Sequence, residues 1–316
     1  MPQKRTKKGV LFSATSLLLL GIMPIISNSR PMTIDALSFA LYLSAWQFLI
    51  ALPVCLLELK FRSAGIFNAT LSAAAIQRTI VIILVTGAMF GISTYAYVLS
   101  VEKAGAVSAS IAMTAYPLFA ILWESLFLNR KKSLTELLFT GLLLMGLYYL
   151  GTNGSWKIKG LSYWFLFALT VPLIWSIAHV ILKEMLDKTP ITPVQITFFR
   201  ALMSTLILLI ISLSVNGPDN GLSLLADTHF QSYAMAMGLV YYSELIVWFY
   251  AVKNIDVSVA SSITTPWPVV TLFLAIIFLN ETVRDYQMIT LAVTLISVYG
   301  LIWAGKKKQS GCRPEH

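Results

Sequence analysis

Charge is scarce in this chain: of 316 residues only 12% are Asp, Glu, Lys or Arg, about half of what an ordinary soluble domain carries. With 57% of its residues hydrophobic, it has too little polar surface to face water alone and calls for lipid as its solvent. Histidine occurs three times and cysteine twice, Cys55 inside an apolar run and Cys312 in a basic tail. That excludes a disulfide framework and gives no set of zinc ligands. A Walker-type phosphate loop is also missing, which argues against ATP hydrolysis, and no cofactor is expected. Polar and apolar residues do not alternate in runs such as 134–151, which excludes a transmembrane barrel.

What the chain has instead is long apolar runs. A bilayer core needs about 20 such residues to be crossed as a helix. Ten segments qualify, at about 10–29, 36–57, 79–100, 105–128, 134–151, 160–182, 191–213, 231–252, 257–279 and 286–304. Lys4-Arg5-Thr6-Lys7-Lys8 before the first resembles the start of a signal peptide, but no small-x-small cleavage site follows, so this run is taken as the first membrane helix. The longer connections, about 58–78 and 214–230, have room for short interfacial segments.

The net charge of +9 raises the question of nucleic acid, and the distribution of Lys and Arg answers it. With the N-terminus in the cytoplasm, seventeen fall on the cytoplasmic side, five on the opposite side, and Arg200 lies within a span. The positive-inside rule therefore explains the charge, makes both termini cytoplasmic and leaves no role for nucleic acid. Short loops suit an inner or plasma membrane.

An internal repeat sets the architecture. Ala109, Ser110, Thr114, Pro117, Leu128 and Asn129 each meet an identical residue 151 positions on, at Ala260, Ser261, Thr265, Pro268, Leu279 and Asn280. Gly146-Leu147-x-Tyr149-x-Gly151 likewise matches Gly300-Leu301-x-Trp303-x-Gly305. The expected fold is all-α and integral to the membrane: ten transmembrane helices as two five-helix repeats, 1–152 and 153–308, with a tail at 309–316. Five is odd, so the second copy is inverted relative to the first, the design of secondary transporters.

The paired repeats, the proline-bearing fourth and ninth helices and the ending Leu279-Asn280-Glu281 resemble the drug/metabolite transporter superfamily, in particular its EamA-type members. The resemblance implies a Trp followed eight residues later by a base, met by Trp175 and Lys183; in the first half Ile22 replaces the Trp while Arg30 stands. It also implies an acid ending the fourth and ninth helices, met by Glu281 but not Arg130. An early base in the second and seventh is met by Arg200 but not Gln47. The family moves amino acids, other metabolites and drugs in either direction, so membership leaves the substrate open.

Charge inside a membrane span costs at least about 2.5 kcal/mol on insertion scales and asks for an account. Arg200 and Glu244 lie at similar depth, as an ion pair that either serves substrate and coupling or only locks two helices. Glu124 faces either the pathway or the interface, and His179 offers proton coupling or plain packing. Candidate substrate contacts are the aromatics Tyr116, Trp267, Trp175 and Tyr242, with Trp123 and Trp248 as further aromatics. The hydroxyls Ser110, Thr114, Ser261 and Thr265 bind either substrate or a neighbouring helix. Pro117, Pro266 and Pro268 remove backbone donors and serve as hinges or as simple kinks.

The expected function is alternating-access transport of a small molecule, with an amino acid or other small zwitterion or amine favoured, and export favoured over import. Its partners are the solute, membrane lipid and, in a coupled mechanism, a proton; oligomeric state is not legible. The competing readings are a membrane-embedded lipid-modifying enzyme, which lacks its cluster of acids or histidines, and a non-transporting receptor, which leaves the repeat unexplained. A fluorescent protein fused after the last residue is expected to fluoresce, and alkaline phosphatase at the same place to stay inactive. The opposite pattern would put the termini outside.

Overall fold

The computed structural model describes residues 2–31, 33–61, 65–67, 72–116, 118–119, 122–123, 133–255, 260 and 263–311, without the side chains of 2–6, 183, 218–223 and 305–311. These residues form helices and no strand. In chain order they are α1 (Pro2–Asn28), α2 (Ala36–Phe61), α3 (Ala73–Ala104), α4 (Ala106–Met113), α5 (Leu134–Gly151), α6 (Tyr163–Ala168), α7 (Thr170–Lys188), α8 (Pro193–Leu225), α9 (Thr228–Asn254), α10 (Trp267–Phe278) and α11 (Asp285–Gly311). Among the described residues eight segments are long and apolar enough to cross a membrane: Lys7–Asn28, Ala36–Phe61, Ala73–Ala104, Leu134–Gly151, Tyr163–Lys188, Pro193–Gly217, Thr228–Asn254 and Asp285–Ala304. Each corresponds to an expected span. The connection expected at 214–230 carries a further helical stretch, because α8 breaks at Gly217 (φ 73°) and resumes to Leu225.

The starts of several helices are written locally. Ser133 and Glu136 form a reciprocal capping box on α5, and Thr192 and Gln195 form another on α8, where Pro193 occupies the first turn. Ser72 and Asp227 cap α3 and α9.

The fourth and ninth expected spans differ from the rest. Helix α4 stops at Met113 and the chain turns at Thr114 and Ala115; the ninth turns at Thr265 and Pro266 before the 12-residue α10. The two turns stand 151 positions apart, so the repeat extends to the interruption itself. At the first turn the backbone tightens to three-residue steps, Thr114 N–H to Ile111 and Ala115 N–H to Ala112, both at 3.1 Å. The prolines in these segments cannot donate to the preceding turn, which favours a break there. Pro117, Glu124 and Ser261 lie outside the described residues.

Packing between the halves is reciprocal. Helix α1 packs on α9 as α6 and α7 pack on α3; α2 packs on α9 as α8 packs on α3; α2 meets α8, α4 meets α10, and α5 meets α11. At the α5–α11 contact, Gly146 lies against Val293 and Gly300 against Phe139, as expected for close helix approach. Polarity runs inside out: Leu18, Leu49, Ile80, Leu138, Ile210 and Ile289 are exposed, whereas Ser16, Ser93, Ser100, Thr290 and Ser297 are buried. Many of these hydroxyls bond back to their own helix, as Ser100 Oγ does to the Ala96 carbonyl at 2.6 Å. Thr271 Oγ1 instead crosses from α10 to the Gly21 carbonyl of α1 at 2.9 Å.

One contact ties the halves at a helix start. The Glu281 carboxylate, after α10, accepts from the N–H groups of Ala106 (3.2 Å) and Val107 (3.4 Å) at the start of α4. Burial raises the Glu281 carboxyl above the usual carboxylate range, while the two N–H donors act in the other direction. Gly105 permits the approach: its φ is +83°, and a Cβ there would lie 2.9 Å from Glu281 Oε1. Glu281→Ala is expected to lower the melting temperature in detergent, by about 1 kcal/mol of stability. Glu281→Gln, which keeps an acceptor and removes the buried charge, should recover most of it. Gly105→Ala should be worse than either, and equal melting of all four proteins would contradict the cap.

Candidate functional site

A cavity lies where α1, α3, α4, α7, α8, α9 and α10 converge, between helices, where small-molecule sites are common. Its walls are repeat pairs: Phe90 with Tyr241, Met113 with Thr264, Thr114 with Thr265, and Tyr116 with Trp267, each 151 positions apart. Both interrupted segments thus bring their turns to the cavity.

The remaining polar groups break the symmetry. Trp175 and His179 stand one turn apart on α7, Arg200 comes from α8 and Glu244 from α9. The Trp175 indole N–H donates to Ser93 Oγ at 3.1 Å, and the ring stacks on Tyr97 with centroids 6.1 Å apart. His179 is ringed by Phe90, Trp248, Tyr116 and Trp175 at centroid distances of 5.5 to 6.4 Å. Its Nδ1 is buried and has no hydrogen-bond partner among the described residues.

Arg200 and Glu244 line the same cavity but do not form the expected direct ion pair. Arg200 places its guanidinium 3.9 Å from the Phe90 ring centroid and 4.8 Å from that of Tyr241, and its Nη2 donates to the Tyr241 hydroxyl at 2.5 Å. Glu244 Oε1 accepts from Ser16 Oγ at 2.8 Å, which ties α9 to α1. The physical reason is helical spacing: Tyr241 lies one turn before Glu244 on α9, and its hydroxyl meets the arginine instead.

Of the other expected site residues, Ser110 is buried but donates to its own helix, to the Val107 carbonyl at 2.7 Å, and does not line the cavity. Tyr242 is buried outside the lining, its hydroxyl without a partner among the described residues. Pro266 occupies the cap position of α10, and Pro268, in its first turn, is buried. Neither lines the cavity. Phe90, Tyr241, Met113, Thr264, Leu20 and Leu245 line it without having been singled out. For the first four the signal was available, since each has its repeat partner in the wall. Among the described residues no three His, Cys, Asp or Glu gather as metal ligands.

Comparison with known proteins gives both fold and family. No curated protein matches the chain. A solved crystal structure superposes on 96% of this chain and 99% of its own with a TM-score of 0.63 at 14% identity, a likeness of fold alone. The model of the EamA-like transporter family matches twice, over residues 7–152 and 162–303. The two matches cover most of the chain, with one copy on each half; the chain belongs to the EamA-like transporter family and is an integral membrane protein.

Proposed function

We propose that this protein is a secondary transporter that exports a small metabolite, an amino acid or other small zwitterion or amine, by alternating access. The observation that carries the reading is a cavity with repeat-related walls, in which a base, Arg200, and an acid, Glu244, face the same space without neutralising each other directly. A zwitterion complements such an arrangement, and the surrounding aromatic rings suit its apolar or cationic part.

On this reading the segments around α4 and α10 are the fourth and ninth of ten crossings, broken where they meet the solute. Two five-crossing repeats of opposite orientation place the cavity near the midplane, with both termini in the cytoplasm. The reciprocal packing of the halves supports it: the contacts of α1 and α2 with α9 have counterparts in those of α6, α7 and α8 with α3. Glu244 and His179 are the candidates for carrying a coupled proton, and Tyr116, Trp267, Thr114 and Thr265 for contacting the solute.

Purified protein in liposomes should exchange labelled small amino acids or amines at a saturable rate above protein-free vesicles. Tyr116→Ala or Trp267→Ala should reduce that rate about tenfold if each ring supplies a contact of roughly 1.4 kcal/mol. Flux equal to that of empty vesicles, or unchanged in both folded variants, would contradict the proposal.

A further inference from the structure

Arg200 is a buried cation with unfinished chemistry. The residue is 5% exposed, yet among the described residues only its Nη2 has a hydrogen-bond partner, and Nε and Nη1 have none. No carboxylate among the described residues lies within ion-pair distance of it; the acid of the same cavity, Glu244, accepts from Ser16. A guanidinium is a permanent cation with five donors in one plane. Left with unsatisfied donors in a low-dielectric space, it carries a desolvation penalty that its ring contacts offset only in part. A ligand carboxylate placed in the cavity would satisfy those donors and supply the missing negative charge.

The donors are also aimed. The face of the guanidinium lies on Phe90 and one nitrogen is fixed by the Tyr241 hydroxyl, so the group cannot turn freely. Phe90 and Tyr241 are repeat partners, whereas Arg200 has the neutral Gln47 as its counterpart in α2, and Gln47 does not line the cavity. The walls around the cation are therefore shared by the two halves, and the cation itself comes from one of them. Beyond it the lining is aromatic, with Tyr116, Trp175, Trp248 and Trp267.

We propose that Arg200 is the receptor for a carboxylate on the solute, with Tyr241 as its positioning residue. The cavity then selects molecules in which a carboxylate is attached to an apolar, flat body, and it discriminates against amines that lack the acid. This narrows the zwitterion-or-amine reading above and rests on it.

Three probes of one shape separate the possibilities: phenylalanine with both charges, 3-phenylpropionate with the acid alone, and phenethylamine with the amine alone. Ligand-induced shifts in melting temperature of the full-length protein in detergent report the binding of each. Both carboxylates are expected to stabilise the wild type, with the amine at least about tenfold weaker. Arg200→Gln should abolish that preference, Arg200→Lys should restore it only partly because an ammonium lacks the planar fork, and Tyr241→Phe should weaken carboxylate binding less than Arg200→Gln. Tyr241→Phe keeps the ring and is the variant to rely on where Arg200→Gln does not fold.

An amine that binds as well as the acids overturns the carboxylate receptor, as does undiminished acid binding in folded Arg200→Gln, or in Tyr241→Phe where that is the only folded variant. So does the absence of any shift with either carboxylate at millimolar concentration. If liposomes then still show saturable flux of another solute, only the receptor assignment falls; if they show none, the transport reading falls with it.

Discussion

A bilayer has no water to satisfy a free N–H or C=O, and every feature of this protein follows from that constraint. With no alternation to build a barrel it leaves helices as the available element, turns Ser and Thr inward, many of them to bond their own carbonyls, and places many Leu, Ile and Val side chains outside. It also dictates where a helix can be interrupted, because irregular backbone at depth is tolerated only where it is buried or lines a cavity. Both interruptions, at 114–115 and 265–266, obey this rule, with Thr114 and Thr265 in the cavity wall.

The second theme is symmetry and its breaking. Repeat-related residues form the walls, and reciprocal helix contacts hold the halves together. A cavity made only of such pairs would be aromatic and apolar, with a ring of hydroxyls. The groups that give it chemical direction, Trp175, His179, Arg200 and Glu244, come from the second half, where the first half has Ile22, Ile26, Gln47 and Ser93 at the corresponding positions. The repeat thus supplies the frame, and the differences between its two copies supply the polar surface.

Much of this was legible in the sequence because it depends on composition and register. Apolar length located eight spans, and the shared proline and asparagine located the broken pair. The pairs Thr114 with Thr265 and Tyr116 with Trp267 followed from the same alignment. What could not be read was the rotation of a helix whose faces are nearly all apolar. One residue turns the chain by about 100°, and that separates Tyr241, which holds Arg200, from Tyr242, which lies outside the cavity. The expected ion pair failed for a related reason: depth alone places Arg200 and Glu244 together, but only side-chain packing reveals that Tyr241 and Ser16 take their hydrogen bonds.

The central claim is that a single cavity between the halves is presented to the two sides of the membrane in turn. The direct measurement is accessibility of Thr114→Cys, with Cys55 and Cys312 replaced by serine, to a membrane-impermeant maleimide applied from each side of sealed vesicles. Alternating access requires labelling from both sides, each in its own fraction of molecules. Labelling from one side alone under every solute gradient, or from neither, would contradict it.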